Sequence, residues 1–229
     1  MAARRATDPA ASPSVESAGQ ARAALAAAAR RLGDDSVRVS LTMGTFMTAT
    51  GTADPSTSAM DMRMQVRGPQ PMAIEMRNTG KDVYMRFRGR SLGSYADRWM
   101  HIGGDRIPAR LGFGSAEDPG DAQRLLRAIV DVRRDGPGRY RGTMDMSRTP
   151  SPDPALLERL GAKARAVPFT AAVDDQGRLV GITIRMDVLF RSMPSMQVRY
   201  SDFGTPVRVV KPKGRIIEAP AELVDAFDA

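Results

Sequence analysis

Apolar and polar residues alternate with a period of two along most of this chain, the pattern of strands with one buried face. The cleanest case is 58–67, SAMDMRMQVR. Met60, Met62, Met64 and Val66 face one way there, and Asp61, Arg63, Gln65 and Arg67 the other. Residues 82–88 repeat it, with Val83, Met85 and Phe87 set against Tyr84, Arg86 and Arg88. Asn78-Thr79-Gly80-Lys81 is a hairpin turn joining that strand to another at 73–77. A longer meander is expected over 166–210. Its first strand carries Val167, Phe169, Ala171 and Val173, and its turn is Asp174-Asp175-Gln176-Gly177. Its second carries Leu179, Ile182, Ile184 and Met186, its third is 197–200, and a bend at 201–206 leads to a short last strand at 207–210. Upstream, 36–50 reads as one strand with Val37, Val39, Leu41 and Met43 on one side and Gly44 as a bulge or bend. Shorter strands are expected at 99–102, 131–134 and 139–146.

Helices are few. Residues 15–32 are alanine-rich without proline, and Leu25, Ala28, Ala29 and Leu32 form a stripe too small to stabilise a free helix, so it must lie on something larger. A second helix starts near Asp118-Pro119-Gly120-Asp121, with Leu125, Leu126 and Ile129 at helical spacing. A third runs to Gly161, capped by Asp153, with Pro154 in its first turn and Leu156, Leu157 and Leu160 as its stripe. Glu222 to Phe227 adds a terminal helical turn. Short connections between most strands mean antiparallel pairing, and the helices are too few for a parallel α/β sheet. The expected class is α+β. So long an antiparallel sheet must curl, with helices inside the curl or across its mouth.

Composition narrows the function. The chain has 229 residues, 42% of them hydrophobic but only 5% aromatic, with 15 methionines and no cysteine. Methionine is flexible and polarizable, so a Met-rich interior suits variable contents, although it also substitutes for Leu in an ordinary core. Without cysteine there is neither a disulfide nor a thiolate metal site. The net charge is +8. Its arginines (Arg38, Arg63, Arg77 and Arg141 among them) are dispersed along the polar sides of strands, with no nucleic-acid-reading motif beside them, so no nucleic-acid partner is expected. Attraction to anionic headgroups or cell-wall polymers fits that charge better. No apolar run is long enough to span a membrane. Residues 1–14 read as a flexible tether without the apolar core of a signal peptide, and 15–229 as a single domain.

Catalytic chemistry finds little to use. His101 is the one histidine, so a Ser-His-Asp system would depend on it, and it lies in a strand beside Trp99. Asp61, Asp145 and Asp187 alternate with apolar residues, as charges on a solvated face do. No metal-ligand spacing, phosphate loop or nucleophile elbow occurs, so no catalytic residue, metal or cofactor is expected. Leu111-Gly112-Phe113-Gly114 is an apolar patch in a glycine-rich loop, a candidate lid. Trp99, Phe113 and Phe203 are either cavity wall or ordinary core.

Four stretches carry a family likeness. Arg139-Tyr140-Arg141-Gly142-Thr143-Met144-Asp145, Val173-Asp174-Asp175-Gln176-Gly177-Arg178-Leu179 and Tyr200-Ser201-Asp202-Phe203-Gly204-Thr205-Pro206-Val207 resemble, in order, strands and hairpins of the mycobacterial-type LppX, LprA, LprF and LprG lipoproteins and their actinobacterial relatives. Asp97-Arg98-Trp99-Met100 is similar to a further strand of that group. The resemblance, covering about residues 18–212, implies a LolA-like antiparallel half-barrel with helices packed on its concave face around an apolar cavity. It also implies an extracytoplasmic protein held to the membrane by a lipid anchor. The anchoring cysteine and signal peptide of that group are missing from these residues.

The expected function is therefore non-enzymatic binding and carriage of a lipid, acylated glycolipid or phospholipid by a monomeric envelope domain. Candidate cavity residues are Leu25, Val39, Leu41, Met43, Met60, Met62, Met64, Val83, Met85, Phe87, Leu125, Ile129, Ile182 and Ile184. The alternative is an envelope protein-interaction or sensor module with the same fold and a filled core.

Overall fold

The computed structural model describes residues 17–89, 95–103, 115–149, 154–222 and 224. The expected tether, the 111–114 loop with Phe113, the Asp153 cap, the Leu156 side chain and most of the terminal turn near Phe227 lie outside the described residues. Along the chain, α1 (Ala18–Arg30) precedes β1 (Val37–Met43), β2 (Met47–Asp54), β3 (Ala59–Val66), β4 (Met72–Thr79), β5 (Asp82–Arg88) and β6 (Trp99–Gly103). Then come α2 (Ala122–Arg127), β7 (Ile129–Arg134), β8 (Arg139–Met144) and α3 (Pro154–Leu160). β9 (Val167–Val173), β10 (Leu179–Ile184), β11 (Met196–Ser201) and β12 (Ile216–Glu218) complete the order. The strands form one open sheet of twelve, ordered β12-β6-β5-β4-β3-β2-β1-β11-β10-β9-β8-β7. Neighbours pair antiparallel except β12, which lies parallel to β6. The architecture is α+β: a large open mixed sheet with few helices.

Four expectations need correction. Met186 does not continue the strand of Leu179, Ile182 and Ile184, because β10 ends at Ile184 and Met186 opens a 3₁₀ turn. Residues 36–50 are not one strand. Gly44, at φ +53, reverses the chain, and β2 returns along β1 with Met43 opposite Met47. Ile129 is not helical; α2 ends at Arg127 and Ile129 opens β7 opposite Met144. Residues 207–210 form no strand. They belong to a strap that leaves β11 beside β1 and reaches β12 at the far edge of the sheet.

α1 begins with a capping box. The Ser17 hydroxyl accepts from the Gln20 amide at 3.2 Å, and the Gln20 side-chain carbonyl accepts from the Ser17 amide at 2.8 Å. Its stripe of Ala21, Leu25, Ala28 and Ala29 is buried, and the helix touches β7, β10 and α2. That stripe joins one hydrophobic cluster with the apolar side chains of the strands. The opposite face of the sheet is polar and rich in arginine. There Glu75 sits among Arg86, at 2.5 Å, Arg88, at 3.5 Å, and Arg63, at 3.8 Å. The Arg86 and Arg77 guanidiniums both lie over the Trp99 ring, 4.6 and 5.2 Å from its centre.

The strap crosses this polar face. The Gly204 amide donates to the Ser36 carbonyl, Arg77 donates to the Val210 carbonyl at 3.3 Å, and the Lys211 ammonium lies 5.8 Å from the Tyr84 ring centre. His101 then pins β12. Its Nδ1 is 2.8 Å from Glu218 and its Nε2 2.8 Å from Asp82.

Candidate functional site

The strand registers arrange the apolar face in rows across the sheet. Val37, Ala53, Met60, Val83 and Ile102 belong to the first row, and Val39, Met62, Met76, Met85 and Met100 to the second. All ten are buried. In the third row Ala49, Ile74 and Phe87 are buried, but Leu41 and Met64 are half-buried. In the fourth, Met43, Met47, Val66 and Met72 are all half-buried. Along β1 to β5 burial thus falls from one end of the strands to the other, whereas the fourth row, continued across β11 to β10 and β9, meets Ile184 and Phe169, which are buried. The half-buried end carries the turns at 44–46 and 67–71, and Met193 and Met196 add to its methionine rim. A Met-rich, partly wet surface accommodates varied apolar shapes at little strain.

The sealed end has a local cause. The 115–121 turn lies over β1 and β11, so close that a Cβ on Gly120 would come 3.3 Å from the Tyr200 hydroxyl and 3.5 Å from Val39. Gly120, at φ +71, serves both needs there, a left-handed turn and a close approach. Beneath it is a small polar island. The Tyr200 hydroxyl is buried without a hydrogen-bond partner. Burial first, then the charges of Asp118 and Asp121, push that phenol far up. Burial is also the main cause raising the carboxyls of Asp118 and Asp121, although Asp118 accepts from the Gln123 amide at 2.8 Å.

A separate crevice of about 400 Å³ opens between α1, α2 and the start of β7. Ala29, Leu126 and Ile129 form part of its floor, and Arg22, Arg30 and Arg127 stand around it. Arg22 is anchored by donating to the Val130 carbonyl at 2.7 Å. An apolar floor ringed by guanidiniums suits an anionic group attached to a greasy one.

Of the residues expected to line a cavity, Leu25, Val39, Met60, Met62, Val83, Met85, Phe87, Leu125, Ile129, Ile182 and Ile184 are buried in the hydrophobic cluster. Leu41 and Met64 pack against it half-buried, while Met43 stands at the open end outside it. Ile129 also floors the arginine crevice. Sequence reasoning missed the rim residues Met72, Met193 and Met196. Met72 carries the alternation of Ile74 and Met76 back by one step and was legible. Met196 likewise carries the alternation of Val198 and Tyr200 back by one step, whereas Met193 lies in an irregular segment where no period exists to read.

His101, Asp82, Glu218 and Tyr84 form a polar cluster in which His101 bonds Asp82 of β5 and Glu218 of β12 and stacks on Tyr84, tying the edge strand to the sheet. Among the described residues, no three His, Asp or Glu side chains gather as metal ligands, and no helix is long and apolar enough to cross a membrane. No family model and no curated protein matches the chain. What fold and site define is an α+β protein whose broad apolar face is buried over most of its extent and half-buried, with methionines, at one end of β1 to β4.

Proposed function

We propose that this chain binds and carries a lipid, acylated glycolipid or phospholipid, without catalysis, as the soluble domain of an envelope lipoprotein of the LppX and LprG type. The sheet curls into a half-barrel with α1 and α2 on its concave side, since so many twisted antiparallel strands do not lie flat. The observation that carries the reading is the graded apolar face, buried in two rows and half-buried at the Met43, Met47, Val66 and Met72 end. An acyl chain entering at that end would gain about 0.8 kcal/mol for each CH₂ removed from water. The three arginines of the crevice suit a phosphate or other anionic headgroup.

One observation favours a second reading, a filled module that recognises a protein partner. Leu25, Met76, Met85 and Ile184 show no exposed surface at all, as in a core packed by its own side chains. Organic extraction of the purified protein, with mass analysis of the extract, separates the two. The carrier reading expects a stoichiometric amphiphile, and delipidated protein should take up a fluorescent fatty acid. No extract and no uptake would leave the filled module.

A further inference from the structure

The two ends of the strands differ in charge as well as in burial. Turns at the sealed end carry Asp34, Asp35, Asp54, Asp135, Asp174 and Asp175. Connections at the open end carry Arg67, Arg148, Lys163, Arg185 and Arg191, all exposed, with Arg148 and Arg185 paired to Asp145 and Asp187 of the same end and Arg67, Lys163 and Arg191 in excess. Large apolar side chains are exposed among them: Phe46 is 51% exposed and Val188 41%. These pieces are one surface rather than scattered tips. The Arg67 amide donates to the Phe46 carbonyl at 2.7 Å, a Cβ on Gly68 would lie 3.8 Å from the Phe46 ring, and one on Gly44 would run into Pro194. Pro194 in turn belongs to the segment bearing Val188 and Arg191, and Phe190 in it lies under the Arg159 guanidinium of α3 at 5.9 Å. Arg67 and Arg191 make no ion pair among the described residues.

We infer that the open end docks on an anionic lipid bilayer. Apolar residues protruding singly from turn tips, separated by arginines, suit insertion at the boundary between headgroups and acyl chains. A protein partner would instead favour a continuous apolar patch with few charges at its centre. The acidic turns at the other end would orient the molecule, because a negative surface repels them. Docking goes beyond carriage, since a protein can adhere to a bilayer and exchange nothing with it.

Flotation with phosphatidylcholine vesicles, with and without phosphatidylglycerol, tests this on the full chain and needs no lipid uptake. The protein should float with the anionic vesicles and lose that association as salt is raised. Arg191→Glu should weaken it by about fivefold or more, and the Phe46→Ser, Val188→Ser double variant should abolish it at unchanged circular dichroism. Lys81→Glu makes the same charge change in the β4–β5 turn at the opposite end, and should leave flotation within about twofold of the parent, because surface attraction decays within a Debye length. Equal loss in Lys81→Glu and Arg191→Glu would reduce the effect to net charge and overturn the proposal. So would flotation that survives the double variant.

Discussion

At the scale of single residues, the polar atoms of this protein divide into those with full partnerships and a few without. Tyr200 is the clearest of the second kind, buried on the apolar face with its hydroxyl unmatched. A buried hydroxyl without a partner costs about 1–3 kcal/mol. Tyr200→Phe should therefore unfold at the same or a higher urea concentration than the parent, and a clear drop in midpoint would mean that the hydroxyl is bonded after all. His101 is of the first kind. Its hydrogen bond to Asp82, then that to Glu218, raises its pKa above the ordinary value, with burial opposing them less. Because the folded value is the higher one, the stabilisation is fully present below the unfolded pKa of about 6.5 and is lost as pH rises through the folded value. Urea midpoints measured at mildly acidic and mildly alkaline pH should fall for the parent and fall less for His101→Gln. Identical pH profiles would remove His101 as the clasp of β12. Glu75 shows the opposite balance: burial alone would raise its carboxyl, but the Arg86 hydrogen bond and the Arg86, Arg88 and Arg63 charges outweigh it and lower it.

Elements explain why some motif residues are what they are. Gly142, in the Tyr140-Arg141-Gly142-Thr143 stretch, lies opposite Val132, just past an irregularity of β7 between Ile129 and Asp131. A Cβ there would sit 1.9 Å from the Asp131 carbonyl oxygen, and no side-chain rotation relieves a clash with backbone. Gly142→Ala should cost about 1–3 kcal/mol by forcing β7 and β8 apart, seen as a lower thermal midpoint; an unchanged midpoint would mean that the bulge yields freely. The Asp174–Arg178 hairpin is equally local. Asp174 accepts from the Gln176 and Arg178 amides at 3.0 and 2.8 Å, and Arg178 returns to its carboxylate while lying 4.3 Å from the Phe203 ring centre. These short-range features, like the period-two strands, were legible because each is written in neighbouring residues. The β1–β2 reversal was not. Thr48, Thr50 and Thr52 alternate with Ala49, Gly51 and Ala53, so polarity contrast is weak and size contrast replaces it. The parallel pairing of β12 was illegible for another reason: it depends on a strap whose partners, Ser36, Arg77 and Tyr84, lie far away in sequence. The candidate site was half legible. Alternation marks which side chains share a face, but only registers between strands reveal that one end of that face is sealed.

For the whole molecule, the sealed and open ends should respond differently to the same chemical change. Met76 is fully buried in the second row, with Met62 and Met85 opposite it on its two neighbours. Met43 sits in the last row, half-buried, opposite Met47 and Met196. Truncating a buried methionine to alanine removes its transfer free energy and leaves a cavity that the core fills only partly, so Met76→Ala should lose about 2–5 kcal/mol of unfolding free energy. Met43 has water on one side and no closed cavity to leave, so Met43→Ala should lose less than about 1 kcal/mol. If the open end admits an acyl chain, ligand uptake should show the reverse order. Met43→Ala, and more strongly a bulky Met64→Trp, would alter the affinity for a fluorescent fatty acid in protein that is as stable as the parent. Met76→Ala would change stability first and affinity only through it. Urea unfolding and fatty-acid titration on the same three variants decide the matter. Loss of uptake that tracks loss of stability across all three would mean the methionines are core at both ends, and the filled protein-recognition module would then be the better account of this sheet.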